Sequence, residues 1–364
     1  MTNLLGKKNF FRLFSIGLLA IMLLLTACGG GSNQGNQGAN TGNDSSQGEG
    51  SGAEDQPFKG KTINFLVPFS PGGGYDTYAR MIQPFLEKYT GATVVVQNVS
   101  GGGGLVGTNQ VYNAKASDLT VGILGGSNLV FAQATGVDGV QFDLNKFQYI
   151  ARVSADPAVL LVSTKKPYQS VEDLAAAPAL KLAATGVGED DFYTSAVIFK
   201  AFGVENYSMV TGWEGSSQWL SAVAAGEIDG GMVSAGSATQ PIANGFARGL
   251  LQVAPERDSR LADVPTALEL VDDANKNLVE VITNILVADR VLVVSPDWSA
   301  EDVDALRKAF DQALQDPELL QQAEQAERPI SYLSGAEVDE ALKSALQSVD
   351  QLKPIFDEAA GKAQ

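Results

Sequence analysis

From residue 61 onward, apolar and polar positions fall into a repeating alternation. Residues 62–69 (TINFLVPF), 93–99 (TVVVQNV) and 119–124 (LTVGIL) are short β-rich runs. Between them, residues 75–88 place Ala79, Ile82 and Leu86 at helical spacing, and residues 105–114 read as a second helix. Pro84 predicts a kink or early stop in the first helix. This βαβαβ order predicts a parallel sheet with helices on its faces. The pattern then restarts. Residues 158–163, 180–184, 207–211, 228–233 and 250–254 read as strands, and 170–176, 192–202 and 217–225 as helices. Residues 280–287 and 291–294 are β-rich again. Two amphipathic helices, 300–325 and 336–358, close the chain, the first interrupted at Asp316-Pro317.

The first 57 residues do not follow this pattern. Lys7, Lys8 and Arg12 precede an apolar run over 13–25, then Leu25-Thr26-Ala27-Cys28. A basic flank, a short apolar core and small residues before a cleavage point mark a secretory signal. The run is short for a bilayer span of about 20 residues. The four residues ending at Cys28 resemble a bacterial lipobox, which implies lipidation of Cys28 and a signal peptide over 1–27. Residues 28–57 are Gly, Ser, Asn and Gln with almost nothing apolar, a composition that predicts a flexible tether.

Composition narrows the chemistry. The chain has 364 residues, 45% of them hydrophobic, enough for two cores. Its formal net charge of −17 argues against nucleic acid as a partner. It has no histidine and one cysteine, which removes Ser-His and Cys-His catalysis and ordinary zinc sites. No S-x-x-K or G-x-S-x-G stands at a strand-to-helix turn. Gly102, Gly104 and Gly107 form a G-x-G-x-x-G after a strand, but the next strand leads to Gly125-Gly126-Ser127 and not to an acidic residue. The reading is a binding protein with no enzyme activity, cofactor or metal.

Glycines cluster at the carboxyl ends of the expected strands: Gly72 to Gly74, Gly101 to Gly104, Gly125-Gly126, Gly186 to Gly188 and Gly236. Ligands of open α/β sheets sit at such ends. A helix N-terminus carries free N–H groups and positive partial charge, and glycine lets an anion come close. Helix capping is the expected role of Asp76, and a salt-bridged surface position that of Arg80. Tyr75 reads equally as cleft wall or core. Ser127 and Asn128 read equally as ligand donors or turn residues, and Trp219 reads as core.

These segments resemble the tripartite tricarboxylate transporter substrate-binding (Bug) family. Val67-Pro68-Phe69, Pro71-Gly72-Gly73, Asp76 and Ala79-Arg80 match its opening motif. Val94 to Val96, Asn98, Gly101, Gly103 and Gly104 match its second segment. Gly215, Gly226 and Asp229 match a later one, as do Arg260, Val264-Pro265-Thr266 and Glu269. The resemblance implies an α/β, two-lobed, periplasmic-binding-protein-like (type II, Venus flytrap) fold with a ligand cleft between lobes. The expected lobes are 58–155 plus 286–364, and 156–285. It implies a monomeric extracytoplasmic lipoprotein on the outer face of the cell membrane. Its ligand is a small carboxylate (dicarboxylate, tricarboxylate or aromatic acid), captured for a membrane permease with large and small subunits. A receptor presenting the solute to a sensor kinase is the alternative. The ligand-facing residues expected on the first lobe are Phe69, Ser70, Gly72, Gly73, Gly74, Tyr75, Asp76, Gly101, Gly102, Gly103, Ser127 and Asn128. On the second they are Thr185, Gly186, Gly188, Asp190, Trp213, Gly215 and Ser234. The chain departs from the family pattern at Trp213-Glu214, where Tyr-Lys is usual, and at Glu189-Asp190, where a serine loop is usual. If Glu189 or Asp190 faces the cleft, the ligand carries an amine or is less anionic than citrate. The alternative is that they cap the following helix.

Overall fold

The computed structural model describes residues 56–364. The expected signal peptide, Cys28 and nearly all of the tether lie outside the described residues. The chain builds two mixed sheets. The first holds β1 (Thr62–Val67), β2 (Thr93–Asn98), β3 (Thr120–Leu124), β4 (Gln148–Arg152), β10 (Val291–Val294) and β11 (Leu333–Ser334), in the order β11-β4-β10-β3-β1-β2. The second holds β5 (Ala158–Ser163), β6 (Leu180–Ala183), β7 (Tyr207–Val210), β8 (Gly230–Ser234) and β9 (Ala247–Val253), in the order β7-β6-β8-β5-β9. The chain crosses between sheets after β4 and again before β10.

The expected parallel unit is present as β2-β1-β3. Where the chain returns from the second sheet, β10 inserts antiparallel between β3 and β4, so the sheet is mixed. Both β3 and β10 are buried along their whole length. That explains the apolar runs of VLVV in β10 and of VGIL in β3.

Helix α1 (Gly74–Thr90) ends at Gly91, whose φ of 71° is left-handed and directs its N–H to Glu87 O. It runs through Pro84 without stopping. Pro84 is exposed, so solvent can take the carbonyl that loses its intrahelical partner. The β-rich run at 280–287 is instead α9 (Lys276–Leu286). Its Val279, Ile282, Thr283 and Leu286 form one buried stripe, and burial of that stripe outweighs the β-propensity of its branched residues. The last expected helix is two: α12 (Gly335–Ser348) and α13 (Lys353–Ala360), joined by a 3₁₀ turn and with Pro354 in the first turn of α13. Ser127 and Asn128 do not sit in a turn. They open α3 (Gly126–Thr135).

One core packs the first sheet against α1 and α10 (Ala300–Leu314), with Phe65 and Phe310 edge to face at 6.3 Å. A larger core joins the sheets through α3, α5 (Asp190–Ala201), α9, α12 and α13. Phe131, Tyr193 and Phe356, one ring from each of three helices, meet with centroids 4.2–5.6 Å apart. The chain end, grouped above with the first sheet's residues, ties back to the second. There α13 packs on α5, and Gln364 N–H donates to Met209 O at 2.8 Å. Among the described residues no helix is long and apolar enough to cross a membrane.

Candidate functional site

The carboxyl ends of the two sheets face each other across a cavity of about 80 Å³. The first sheet contributes Phe69, Gly73, Gly74 and Tyr75. The second contributes Thr185, Asp190, Gly215 and Ser234. These eight residues are all among those singled out from the sequence. Ala158, Met232, Val233 and Leu286 add an apolar floor. The rings of Phe69 and Tyr75 lie 4.8 Å apart on one wall.

At α7 (Ala235–Ala243), behind Ser234, the first donors are taken: Ala235 N–H donates to Pro157 O at 2.7 Å and Gly236 N–H to Asp156 at 3.0 Å. Two other helices start at this cavity with no side chain capping them: α1 behind Gly73 and α6 (Ser216–Ala225) behind Gly215. Their first N–H groups have no intrahelical acceptor and carry the positive end of the helix dipole. The glycines let a ligand oxygen approach that backbone. Helix α5 differs. Asn128 Oδ1 accepts the Asp190 N–H at 2.8 Å, and Asp190 Oδ1 accepts the Asp191 N–H at 2.8 Å. Its first donors are already taken.

The charged groups were the least visible in the sequence. Arg290, 2% exposed, stands on the second crossing. It donates to Asp289 at 3.1 Å and lies 3.6 Å from Asp156. Its guanidinium sits over the rings of Tyr75 and Tyr78, at 5.2 and 5.1 Å. Burial works against its charge, but Asp289 and Asp156 outweigh burial and hold it protonated. Tyr75 O–H donates to Asp289 at 2.6 Å. Asp156 is held by Arg260 and by the Gly236 N–H. Asp191 Oδ2 accepts from both the N–H and the hydroxyl of Thr185, at 2.7 and 2.6 Å. Burial still pushes the Asp191 carboxyl up to about 6. Burial, then neighbouring carboxylates, raises Glu189 and Asp190 well above the ordinary carboxylate range.

The other residues proposed from sequence lie elsewhere. Asp76 is buried and fully engaged: it accepts from Gly72 N–H at 2.9 Å, pairs with Arg80 and accepts from Asn98. Gly72 closes that turn with a φ of 83°. Ser70 N–H donates to Glu214 O across the cleft at 2.9 Å. Gly101, Gly102, Gly103, Gly186 and Trp213 line a shallower groove beside the cavity, with Glu214. Trp213 there donates to Val210 O, and Trp219 is fully buried core. Gly103 packs on Gly186, where a Cβ would come within 3.2 Å of the facing Cα. Gly188 packs against Val137 with a φ of 103°. Ser127 is buried with no partner for its hydroxyl. Asn128 reaches across to donate to Glu189. The halves are thus closed on each other through backbone and polar contacts.

Sequence reasoning missed Asp156, Asp191, Ser216, Asp289 and Arg290 on the wall. A signal for one pair existed: Asp289-Arg290 stands between the apolar runs of α9 and β10. A charged pair there is buried unless it loops out, and burial demands partners.

A family model described as "Tripartite tricarboxylate transporter family receptor" matches residues 78–327. The UPF0065 protein in the tcbD-tcbE intergenic region of a Pseudomonas species is 28% identical over 218 residues, 58% of this chain and 64% of that relative. The match thus spans less than two thirds of that relative's length. Among solved structures, the periplasmic binding protein BugD aligns with a TM-score of 0.69 at 21% identity, covering 84% of this chain and 100% of that one. MatC of Rhodopseudomonas palustris, solved with malate, aligns with a TM-score of 0.69 at 20% identity, over 82% and 100%. These structures establish a periplasmic-binding-protein-like α/β fold. With the family match covering well over half of its length, the chain belongs to the tripartite tricarboxylate transporter receptor family.

Proposed function

We propose that this protein captures a small organic carboxylate in its cleft and delivers it to a membrane permease with large and small subunits. In this reading it is held at the outer face of the cell membrane through lipid on Cys28. The observation that carries the ligand class is the convergence of two uncapped helix N-termini and one buried arginine on a single cavity. Backbone donors and a guanidinium are preorganised for a carboxylate, and the apolar floor suits a short carbon skeleton. The malate in MatC belongs to the same chemical class.

The test is thermal unfolding of the full chain in mild detergent against mono-, di- and tricarboxylates, aromatic acids and amino acids. A ligand at 100 times its Kd should raise the midpoint by roughly 5 °C. Gly74→Val should lose that rise. The three atoms nearest a Cβ at Gly74 belong to the Arg290, Ser237 and Ser234 side chains, at 3.3–3.6 Å, so valine methyls take ligand space beside Arg290. An equal rise in the Gly74→Val protein would refute the site. No rise with any carboxylate or amino acid would refute the ligand class.

A further inference from the structure

The acids of the cavity wall are not all accounted for. Asp289 is held by Tyr75 and Arg290, and Asp156 by Arg260, Arg290 and Gly236. Glu189 and Asp190 have no such partner. Among the described residues no lysine or arginine nitrogen lies within 4.0 Å of either. Glu189 is 3% exposed and receives one amide hydrogen bond, from Asn128. Asp190 is half-buried, on the cavity wall. On the same wall Asp191 is 8% exposed, and its Oδ1 has no partner at all. Three carboxyl groups therefore line the ligand cavity with acceptor capacity to spare. The same cavity carries donors: the uncapped start of α1 and the Arg290 guanidinium.

A ligand carboxylate placed against α5 would find its first N–H groups occupied and two carboxylates facing it. That arrangement repels an anion. We propose that the ligand is an amino-carboxylate: its carboxylate lies at the start of α1 and Arg290, and its protonated amine is received by Asp190 and Glu189. This rests on the carboxylate-binding reading above and narrows it. An ammonium has three donors, which suits the oxygens of Asp190 and Glu189 and the free Oδ1 of Asp191. Burial and then neighbouring carboxylates raise the proton affinity of Glu189 and Asp190, and a ligand ammonium would offset both.

Calorimetric titration of the full chain with matched probes tests this. The pairs are succinate with 4-aminobutanoate, glutarate with glutamate, and benzoate with 4-(aminomethyl)benzoate. In at least one pair the amine-bearing probe should bind more tightly. Asp190→Asn should weaken that probe by roughly tenfold to a hundredfold and leave its plain counterpart unchanged or tighter. Asparagine keeps the acceptor for the Asp191 N–H, so the start of α5 survives. The sign of the stability change supplies a second readout. The folded-state affinity of Asp190 for a proton is raised, so its ionisation at neutral pH opposes folding. Ligand-free Asp190→Asn protein should therefore melt above the wild type, and Glu189→Gln should behave alike. Tighter binding of the plain carboxylates, unaffected by Asp190→Asn, would overturn the proposal. So would a midpoint rise with calcium ion alone that Asp190→Asn removes, since the acids would then hold a metal. If no probe of either kind binds, the carboxylate reading falls and takes this one with it.

Discussion

Arg290→Ala should cost about 3–5 kcal/mol of folding stability, a loss of roughly 6–10 °C in the unfolding midpoint. Two contributions add. The guanidinium is buried with Asp289 and Asp156, and its removal strands carboxylates that burial has already stripped of water. Asp156 keeps Arg260 and the Gly236 N–H, so the cost falls mainly on Asp289, which keeps the Tyr75 hydroxyl and the backbone N–H at 290. The planar group also leaves a gap beside the faces of Tyr75 and Tyr78. The backbone at 290 has a φ of 45°, but alanine bears the same strain as arginine there, so the difference reports the side chain.

The pH dependence identifies the mechanism. Without Arg290, Asp289 loses the charge that pulls its already raised pKa down, so the folded state holds its proton more tightly than the unfolded chain. Stability of the variant should then rise as pH falls toward the ordinary carboxylate range, narrowing its gap to the wild type. Adding Asp289→Asn should recover much of the loss at neutral pH. A midpoint for Arg290→Ala within about 1 °C of wild type would show that the buried pair contributes nothing net.

Gly103→Val is the second large effect, and it strikes affinity more than stability. Gly103 lies outside the cavity, at the seam where the halves meet. A Cβ there would lie 3.1 Å from Glu189 Cγ and 3.2 Å from Gly186 Cα. The flexible Glu189 can give way, but the Gly186 backbone cannot. Valine therefore acts as a wedge in the closed form only. Its φ of 67° adds a left-handed strain of about 1–2 kcal/mol, present whether the cleft is open or closed. Binding needs contacts from both halves at once, so affinity for the wild-type ligand should fall at least about 100-fold, or about 2.7 kcal/mol. Small-angle scattering with ligand present should show the variant staying larger than the closed wild type. Affinity within threefold of wild type would mean that the Gly103–Gly186 contact does not gate closure.

These two residues mark where the sequence stopped being readable. Strand β5 was legible to the residue because AVLLV is an unbroken apolar run closed by Ser163 and bounded by Pro157 and by Lys165-Lys166. Helices α5 and α6 were legible for the same local reason. Strand β4 was not. QYIAR has no clear period and ends in Arg152, which becomes buried only because its guanidinium donates to Val287 O and Ser331 O. Helix α9 was misread as strand because propensity was weighed without the core stripe that only folding supplies.

The sequence by itself determined where the chain turns and where it bares its backbone: glycines at strand ends, helix starts behind them, and no histidine for catalysis. Those properties depend on a few neighbouring residues and on chain sterics. The tertiary structure alone decided which loops hold a ligand and which hold each other. It set Gly73 and Gly74 on the cavity but Gly103 against Gly186. It brought Asp156 and Asp289-Arg290, one group from each crossing, to a single buried cluster. It also turned Glu189 and Asp190 inward beside Asn128. The strength of a charge depends on what surrounds it once water is gone, and those surroundings are assembled only when the two sheets pack face to face.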